Sequence, residues 1–582
     1  MNNQMVTNMT YERNYNLLNG KFKELFVPTL MASIAGNFAI LADAFLISLF
    51  MGPINLFVIQ SIEPFACIVN VIYWLIGFGG SILCTHARAE FDNEKGNELF
   101  TTSLIIIVLI GLFLTVTGLL FPDFYMQILC HSDYLKPLVM QYFQLFIIGI
   151  PFLCYLTVLA YFIKTDNFIK LQFRSFLLAN VVNVIFDVIF MKFLNMGISG
   201  AALATTTGFF VASIYITTYF FNSEGTLKLI KIKTSKMATY IVDIFKTGFS
   251  SASIPLYQAL KLLFINMLLS GILGKVGLAA FNMCFNTLSL VTIFILGTAQ
   301  SILPIVSVYY KEGDFNGIDY VTRKSLKIVT GFGIFFSLLF AIFPQAILFL
   351  FSVNDPSQIP VIMNAVRIFS LCYLGYSINL LYLFYAPSVE YDKLANAISL
   401  LEGLILPVAL TYLFNYLWGI NGIWIAFAVA EMLTVLFIFA YSRYVTKKTN
   451  GEYSGFFIIK NNSNEKMTEF TVKGTVEEAV TLSEDVRKYF LDTKFSVFVS
   501  LAIEEILVYI VKHNEKLDWI DVIIRENDDT IIISIKDAGT EFNPTQPEDL
   551  KSENIDLLNQ LAENIDHSQI LGLNNTVITL KK

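Results

Sequence analysis

Long apolar runs separated by short polar stretches fill the chain from Leu25 to Tyr444. A helix needs roughly 20 apolar residues to cross about 30 Å of hydrocarbon. Runs of that length recur at about 25–48, 56–83, 99–121, 138–163, 174–194, 198–221, 246–272, 278–306, 324–351, 361–387, 393–417 and 422–444. The pattern predicts twelve membrane-spanning helices, and an even number puts both termini on one side. Of the Lys and Arg residues in the N-terminal segment and the connections, 21 share the side of the termini, whereas Lys136, Lys192 and Lys275 lie opposite. Positive charge marks the cytoplasmic side, so both termini are expected there. The first 24 residues are polar, without the short apolar core of a cleaved signal peptide.

A second pattern is superposed on the first. Shifting the chain by 222 residues lays Gly52 on Gly274, Ser103-Leu104 on Ser325-Leu326, Gly111 on Gly333, Phe121-Pro122 on Phe343-Pro344, and Gly197-Ile198-Ser199-Gly200 on Gly419-Ile420-Asn421-Gly422. The shift equals six helices, so the two halves have the same orientation, related by a pseudo-two-fold axis along the membrane normal. Transporters built from such repeats bind substrate near the midplane, between the repeats.

The pattern changes after Tyr444. A polar linker, 445–466, leads into 467–582, where short β-branched strands (Phe470–Val472, Val522–Ile524, Ile531–Ile535, Val577–Thr579) alternate with helical stretches at about 475–491, 496–513 and 553–565, and Asn527-Asp528-Asp529 reads as a hairpin turn. The expected fold is an all-α polytopic membrane protein, with twelve transmembrane helices in two six-helix bundles, followed by a C-terminal α/β sandwich domain. The expected divisions are 1–221, a middle loop 222–245, 246–444, the linker and the tail.

Composition agrees. Of 582 residues 55% are hydrophobic and 15% charged, and the mean hydropathy is +0.63, which excludes a soluble enzyme. The net charge of -7, with no basic cluster or zinc-ligand spacing, argues against nucleic acid as a partner. The acidity belongs to the tail, where 22 acidic and 11 basic residues give a net of -11. Its surface suits a cytoplasmic regulatory protein as partner, or plain solvation. The six Cys (67, 84, 130, 154, 284, 372) are scattered in apolar runs without a CxxC and read as packing residues. No metal site and no cofactor are expected.

An ionisable side chain in hydrocarbon is costly and is a functional candidate by default. Asp43, Glu63, Asp187, Lys261, Arg367, Glu402 and Glu431 qualify. Under the 222 offset Asp43 falls on Ile265, Glu63 on Phe285 and Asp187 on Ala409, while Lys261 falls on Ala39 and Glu402 on Asn180. The two halves therefore share an architecture but not a chemistry. Asn183 and Asp187 lie one helical turn apart on one face, with Asn180 close behind. Such carboxylates can carry a proton, and carboxylate with amide oxygens can hold sodium; the plainer alternative is a hydrogen bond to a neighbouring helix. Asn180, Gln258, Lys261 and Glu402 are candidates for a substrate cavity, and Pro28 for a bend in the first helix.

With Lys23-Glu24-Leu25-Phe26-Val27-Pro28 leading to Ala42-Asp43-Ala44, Asn183-Val184-Ile185-Phe186-Asp187, and Gly197-Ile198-Ser199-Gly200-Ala201-Ala202-Leu203-Ala204-Thr205, residues 20–445 resemble the multidrug and toxic compound extrusion (MATE) transporters. The resemblance implies export of organic, amphipathic compounds across the cell membrane in exchange for protons or sodium, with an ion site at Asp43, Asn183, Asp187 and Thr205. An acid that some members carry in the seventh helix is not matched, since Gln258 and Lys261 occupy that stretch.

The tail resembles the ATP-binding domains of anti-sigma-factor serine kinases, through Leu501-Ala502-Ile503-Glu504-Glu505, Ile535-Lys536-Asp537-Ala538-Gly539 and Asn575-Thr576-Val577. The position of that family's magnesium-holding Asn is Tyr509, its second loop glycine is Glu541, and its lid around Ser552–Ile555 lacks glycine. Without a metal ligand the phosphate charge is not neutralised. Glu505, Asp537, Gly539 and Thr576 thus read as a vestigial nucleotide site in a regulatory module. The rival readings are a membrane-bound sensor or serine kinase and a lipid-linked oligosaccharide flippase.

Overall fold

The computed structural model describes residues 12–51, 56–129, 136–272, 274–350, 359–461, 466–489, 496–514, 517–527, 529–540 and 562–581. The first half consists of α1 (Asn16–Met51), α2 (Leu56–Ala89), α3 (Asn93–Leu120), a short α4 (Pro122–Leu129), α5 (Lys136–Ile148), α6 (Ile150–Thr165), α7 (Ile169–Asp187) and α8 (Ile198–Ile216). The second half has α9 (Thr234–Ile272), α10 (Gly274–Lys311), α11 (Phe315–Ile342), α12 (Gln345–Leu350), α13 (Ile359–Phe369), α14 (Cys372–Ser388), α15 (Asp392–Leu400), α16 (Leu406–Trp418) and α17 (Ile420–Lys448).

Eight helices have the length and hydropathy to cross a bilayer, and the pairs α5/α6 and α13/α14, bent by 45° and 48°, raise the number to ten among the described residues. The other two expected spans, α1 and α9, include residues whose side chains lie outside the description. Several ranges differ from expectation: the run expected at 324–351 breaks at Phe343, between α11 and α12. The first helix starts at Asn16, and α9 begins at Thr234, inside the segment expected to be a loop.

The repeat is visible in the backbone. Gly197 and Gly419, 222 apart, both cap a helix start with φ/ψ near 61°/-141° and 63°/-146°. Phe121 and Phe343 close α3 and α11 at -125°/52° and -118°/57°. Asp92 and Asp314 cap the starts of the same two helices through side-chain oxygens. Apolar residues mostly of the first half, from Ile47 to Ile244, form one core, and those of the second half form another, joined by Leu17, Leu18, Phe22 and Leu25 of α1, Phe78, Ile82 and Ala89 of α2, Ile169 of α7 and residues of the linker and tail. The halves meet most closely where α2 crosses α9. A Cβ at Gly248 would stand 1.8 Å from the Leu75 carbonyl oxygen, so only glycine fits.

The linker is ordered over much of its length. After α17 it forms a small hairpin, β1 (Tyr453–Ser454) with β2 (Ile459–Lys460). The Phe457 ring stacks on Tyr382, and its carbonyl accepts from the Tyr385 hydroxyl at 2.5 Å. The tail comprises β3 (Lys466–Lys473), α18 (Val476–Tyr489), α19 (Ser496–His513), β4 (Trp519–Glu526), β5 (Thr530–Asp537), β6 (Ala562–Ile570) and β7 (Leu573–Lys581). The strands form one antiparallel sheet in the order β3-β4-β5-β7-β6. Residues 562–565, expected to end a helix, instead begin β6. This strand lies at the sheet edge with half-open residues, where polar side chains are tolerated.

Alternation sorts the sheet's faces. Val522, Ile524, Ile533, Ile535 and Ile578 pack on α18 and α19, while Asp521, Lys536 and Asn575 on the other face meet the membrane body. The tail is therefore docked on the transmembrane part of its own chain, at the end from which it emerges.

Candidate functional site

A cavity of about 870 Å³ lies between the halves. Pro28 of α1, Glu63 and Trp74 of α2, Asn180 and Asn183 of α7 and Thr205 of α8 line it from the first half, and Gln258 and Lys261 of α9, Phe285 and Gln300 of α10 and Tyr376 of α14 from the second. Two backbone features place these groups. Pro28 sits inside α1, where the missing N–H releases a backbone bond. Gly208 of α8 lets that helix pack on α7, since a Cβ there would stand 2.6 Å from the Ala179 carbonyl oxygen. That close packing brings the Asn183 amide within 3.1 Å of the Thr205 hydroxyl, to which it donates.

Asp187 lies one turn beyond Asn183 and is fully buried. It ends α7, and a π-helical turn, Val188–Phe193, follows directly; such turns recur at functional sites. Asp43 falls within α1, but its side chain lies outside the described residues. Of the ion-site set expected from the sequence, the structure thus brings Asn183 and Thr205 together on the cavity wall, with Asp187 one turn away.

Glu402 departs from expectation. It is not a cavity residue but is buried inside the second half, on another π-helical turn, Leu401–Ile405. Helical spacing fixes a residue's face, but not whether that face looks into a cavity or a neighbouring helix. Glu431 of α17 is also buried and accepts from the Asn379 amide at 2.8 Å. Lys261 is buried with its ammonium 5.8 Å from the Phe285 ring centre. Arg367 is bonded to the Ala341 carbonyl at an exposed position.

At the tail-side end the cavity is closed by contacts between the halves. Lys311 pairs with Glu90 and Glu390, each at 2.7 Å. His86 Nε2 lies 3.2 Å from the Ser388 carbonyl oxygen, and Lys164 donates to that of Gln300 at 3.1 Å. Sequence reasoning missed this set; its signal was the cluster of charges just after each span.

In the tail, the Asp537 carboxylate accepts from the Gly539 N–H at 2.8 Å and from the Asn574 amide at 2.9 Å. Burial raises its pKa, and those two hydrogen bonds oppose the rise. Gly539 lies against Asn514, whose Oδ1 accepts from the Thr540 backbone at 2.8 Å. Thr576 is hydrogen-bonded with His567 at 3.0 Å, and Glu505 is on α19. Glu541 and the lid lie outside the described residues. Among the described residues no cluster of three or more His, Cys, Asp or Glu is arranged to hold a metal ion.

The sequence model of the MatE family matches residues 28–189 and again 253–413, one copy in each half and together more than half of the chain. The chain belongs to this family. MATE proteins are membrane transporters rather than enzymes, in keeping with the apolar helices and the cavity between the halves. Multidrug export protein MepA of Staphylococcus haemolyticus is 21% identical over 358 residues, covering 61% of this chain and 78% of that protein. MepA of Staphylococcus aureus is 20% identical over 404 residues, 67% and 88% of the two chains. Among solved structures, an outward-facing multidrug resistance MATE transporter superposes with a TM-score of 0.68 at 18% identity, covering 74% of this chain and 96% of that one. A related transporter of Pyrococcus furiosus, described as having a binding pocket of reversed polarity, gives 0.67 at 19%, with the same coverage. The likenesses to solved structures, at under 20% identity, concern the fold.

Proposed function

We propose that this MATE protein is a secondary active exporter that moves organic, amphipathic compounds out of the cell in exchange for protons or sodium. The observation that carries the reading is the cavity between two differently furnished halves, with the Asn183–Thr205 pair on its wall one turn from buried Asp187. Asp43, Asn183, Asp187 and Thr205 hold the coupling ion, and Asn180, Gln258 and Lys261 face the substrate. Both termini are cytoplasmic, so the closed tail-side end is the cytoplasmic gate. A flippase for phosphate-linked sugars would need several cations in its cavity, and among the described lining residues Lys261 is the one cation. In proteoliposomes, Asp43→Asn and Asp187→Asn should each abolish ion-coupled substrate flux while the proteins stay folded, because shape is kept and the charge removed. Unchanged coupled flux in both variants would sink the ion site.

The tail is a regulatory module without kinase activity. Tyr509 offers no amide oxygen for magnesium, and the Asp537 carboxylate is already engaged by Asn574. Calorimetry on the full chain should detect no micromolar, magnesium-dependent ATP binding; such binding would favour the sensor or kinase reading instead.

A further inference from the structure

The turn between β6 and β7 is unusual. Ile570 pairs with Leu573, so Leu571 and Gly572 are the two turn residues, with φ of 59° and 65°. A two-residue hairpin with both residues at positive φ favours Asn-Gly, and a leucine there is a strained choice. Yet Leu571 is fully buried, within the apolar core of the membrane body together with Ile570 and Leu573. A strained residue persists where its surroundings hold it. Here the polar contacts that fix the turn come from the first half. The Leu571 N–H donates to the Thr165 carbonyl at 3.1 Å, and Arg88 donates to the Gln569 carbonyl at 2.8 Å. A Cβ on Gly572 would stand 2.2 Å from the Asn167 amide.

The same sheet is fastened to the second half by other means. Lys536 pairs with Glu312 at 2.7 Å and Asp314 at 3.2 Å, and the Asn575 amide donates to Glu312 at 2.7 Å. One sheet therefore spans both halves beside the Glu90–Lys311 gate. Separating the halves at this end must detach the sheet from one of them. The second half, together with Arg13 in the segment before α1, holds it through buried ions, whereas α2 and the α6–α7 connection of the first half hold it at the β6–β7 turn.

We propose that the Leu571-Gly572 turn is a latch: docked on the first half it keeps the cavity shut on the tail side, and it must leave before that side opens. This deepens the regulatory reading of the tail and rests on alternating access between the halves. Full-length protein in nanodiscs, with its native cysteines replaced, would carry spin labels at Glu94→Cys in the first half and Arg323→Cys in the second, both exposed. Leu571→Asn suits the turn but removes the apolar contact. It should raise the ratio of long to short inter-label distances roughly tenfold or more, whereas Leu571→Met should match the parent. An unchanged distribution in Leu571→Asn, or equal opening in Leu571→Met, overturns the latch. No substrate is needed, so this result stands apart from the fate of the exporter reading. Should Leu571→Asn not fold, the pair Asn167→Cys and Gly572→Cys decides: oxidation should stop transport and a reductant restore it, and full transport with complete cross-linking overturns the proposal.

Discussion

Replacing Arg13 by methionine should loosen the tail from the membrane body. The Arg13 guanidinium forms two parallel bonds to Asp314, of 2.8 and 2.7 Å, and reaches Asp521 at 3.2 Å and Glu469 at 3.4 Å. Its side chain is 1% exposed, and those of Asp314 and Asp521 are 0% exposed. Lys536 is the second cation of this cluster, shared between Glu312 and Asp314. Methionine keeps the stem's packing and removes the charge, leaving the buried Asp314 and Asp521 and the part-buried Glu469 with Lys536 as the remaining cation of the cluster. Breaking a buried ion pair from one side costs about 3–5 kcal/mol, or more than a hundredfold in an opening equilibrium. Amide exchange of β4 and β5 in the full chain should accelerate by at least that factor. The loss should be smaller at low pH, because burial already pushes the Asp521 and Glu469 carboxyls up, with Arg13 opposing it, and protonation relieves the unpaired charge. Exchange in β4 and β5 within threefold of the parent at neutral pH would refute this account of docking.

Two further predictions concern the α2–α9 crossing and the tail's response to acid. Gly248→Ala should lower the melting temperature in detergent by overpacking against Leu75, at a cost of about 1–3 kcal/mol or more. Gly331→Ala, in α11 with open space around it, should gain about 0.5–1 kcal/mol; equal melting temperatures for the two would contradict the geometry. Burial pulls the His567 pKa down from 6.5 to about 4, so between these values the unfolded chain binds more protons. Tail stability should therefore fall as pH drops from 6.5 towards 4, by at most about 3 kcal/mol. Exchange of the β6–β7 amides across that range should show the fall, and His567→Gln should flatten it; a flat profile in the parent argues against it.

Most of the membrane architecture could be read from the sequence because hydrocarbon imposes a length and a hydropathy on every span. The repeat was legible because glycines at Gly197 and Gly419 serve a backbone conformation, which keeps them in register while the surrounding apolar residues vary. The bends were not. Pro151 in the first turn of α6 gave one hint, but Ser370-Leu371-Cys372 in the second half carries no such mark. The edge strand β6 was misread because Glu563-Asn564-Ile565-Asp566 is polar enough for a helix surface, and an edge strand's open face accepts the same residues. At the site, Asn183 and Thr205 followed from motif and spacing. The depth of Glu402 did not, since it depends on which helix lies opposite, a property of packing between distant segments.

Asp92 and Asp314 occupy matching places in the two repeats and perform the same local task at the start of a helix. Asp92 accepts from the Lys95 N–H at 3.0 Å. At Asp314 one oxygen, Oδ1, receives both the Gly317 N–H at 2.9 Å and the Arg13 guanidinium at 2.8 Å. Helix integrity and domain attachment thus share a single atom. Strain on the tail is passed directly to the first turn of α11, so a partner pulling on the tail would fray a transmembrane helix without touching the membrane.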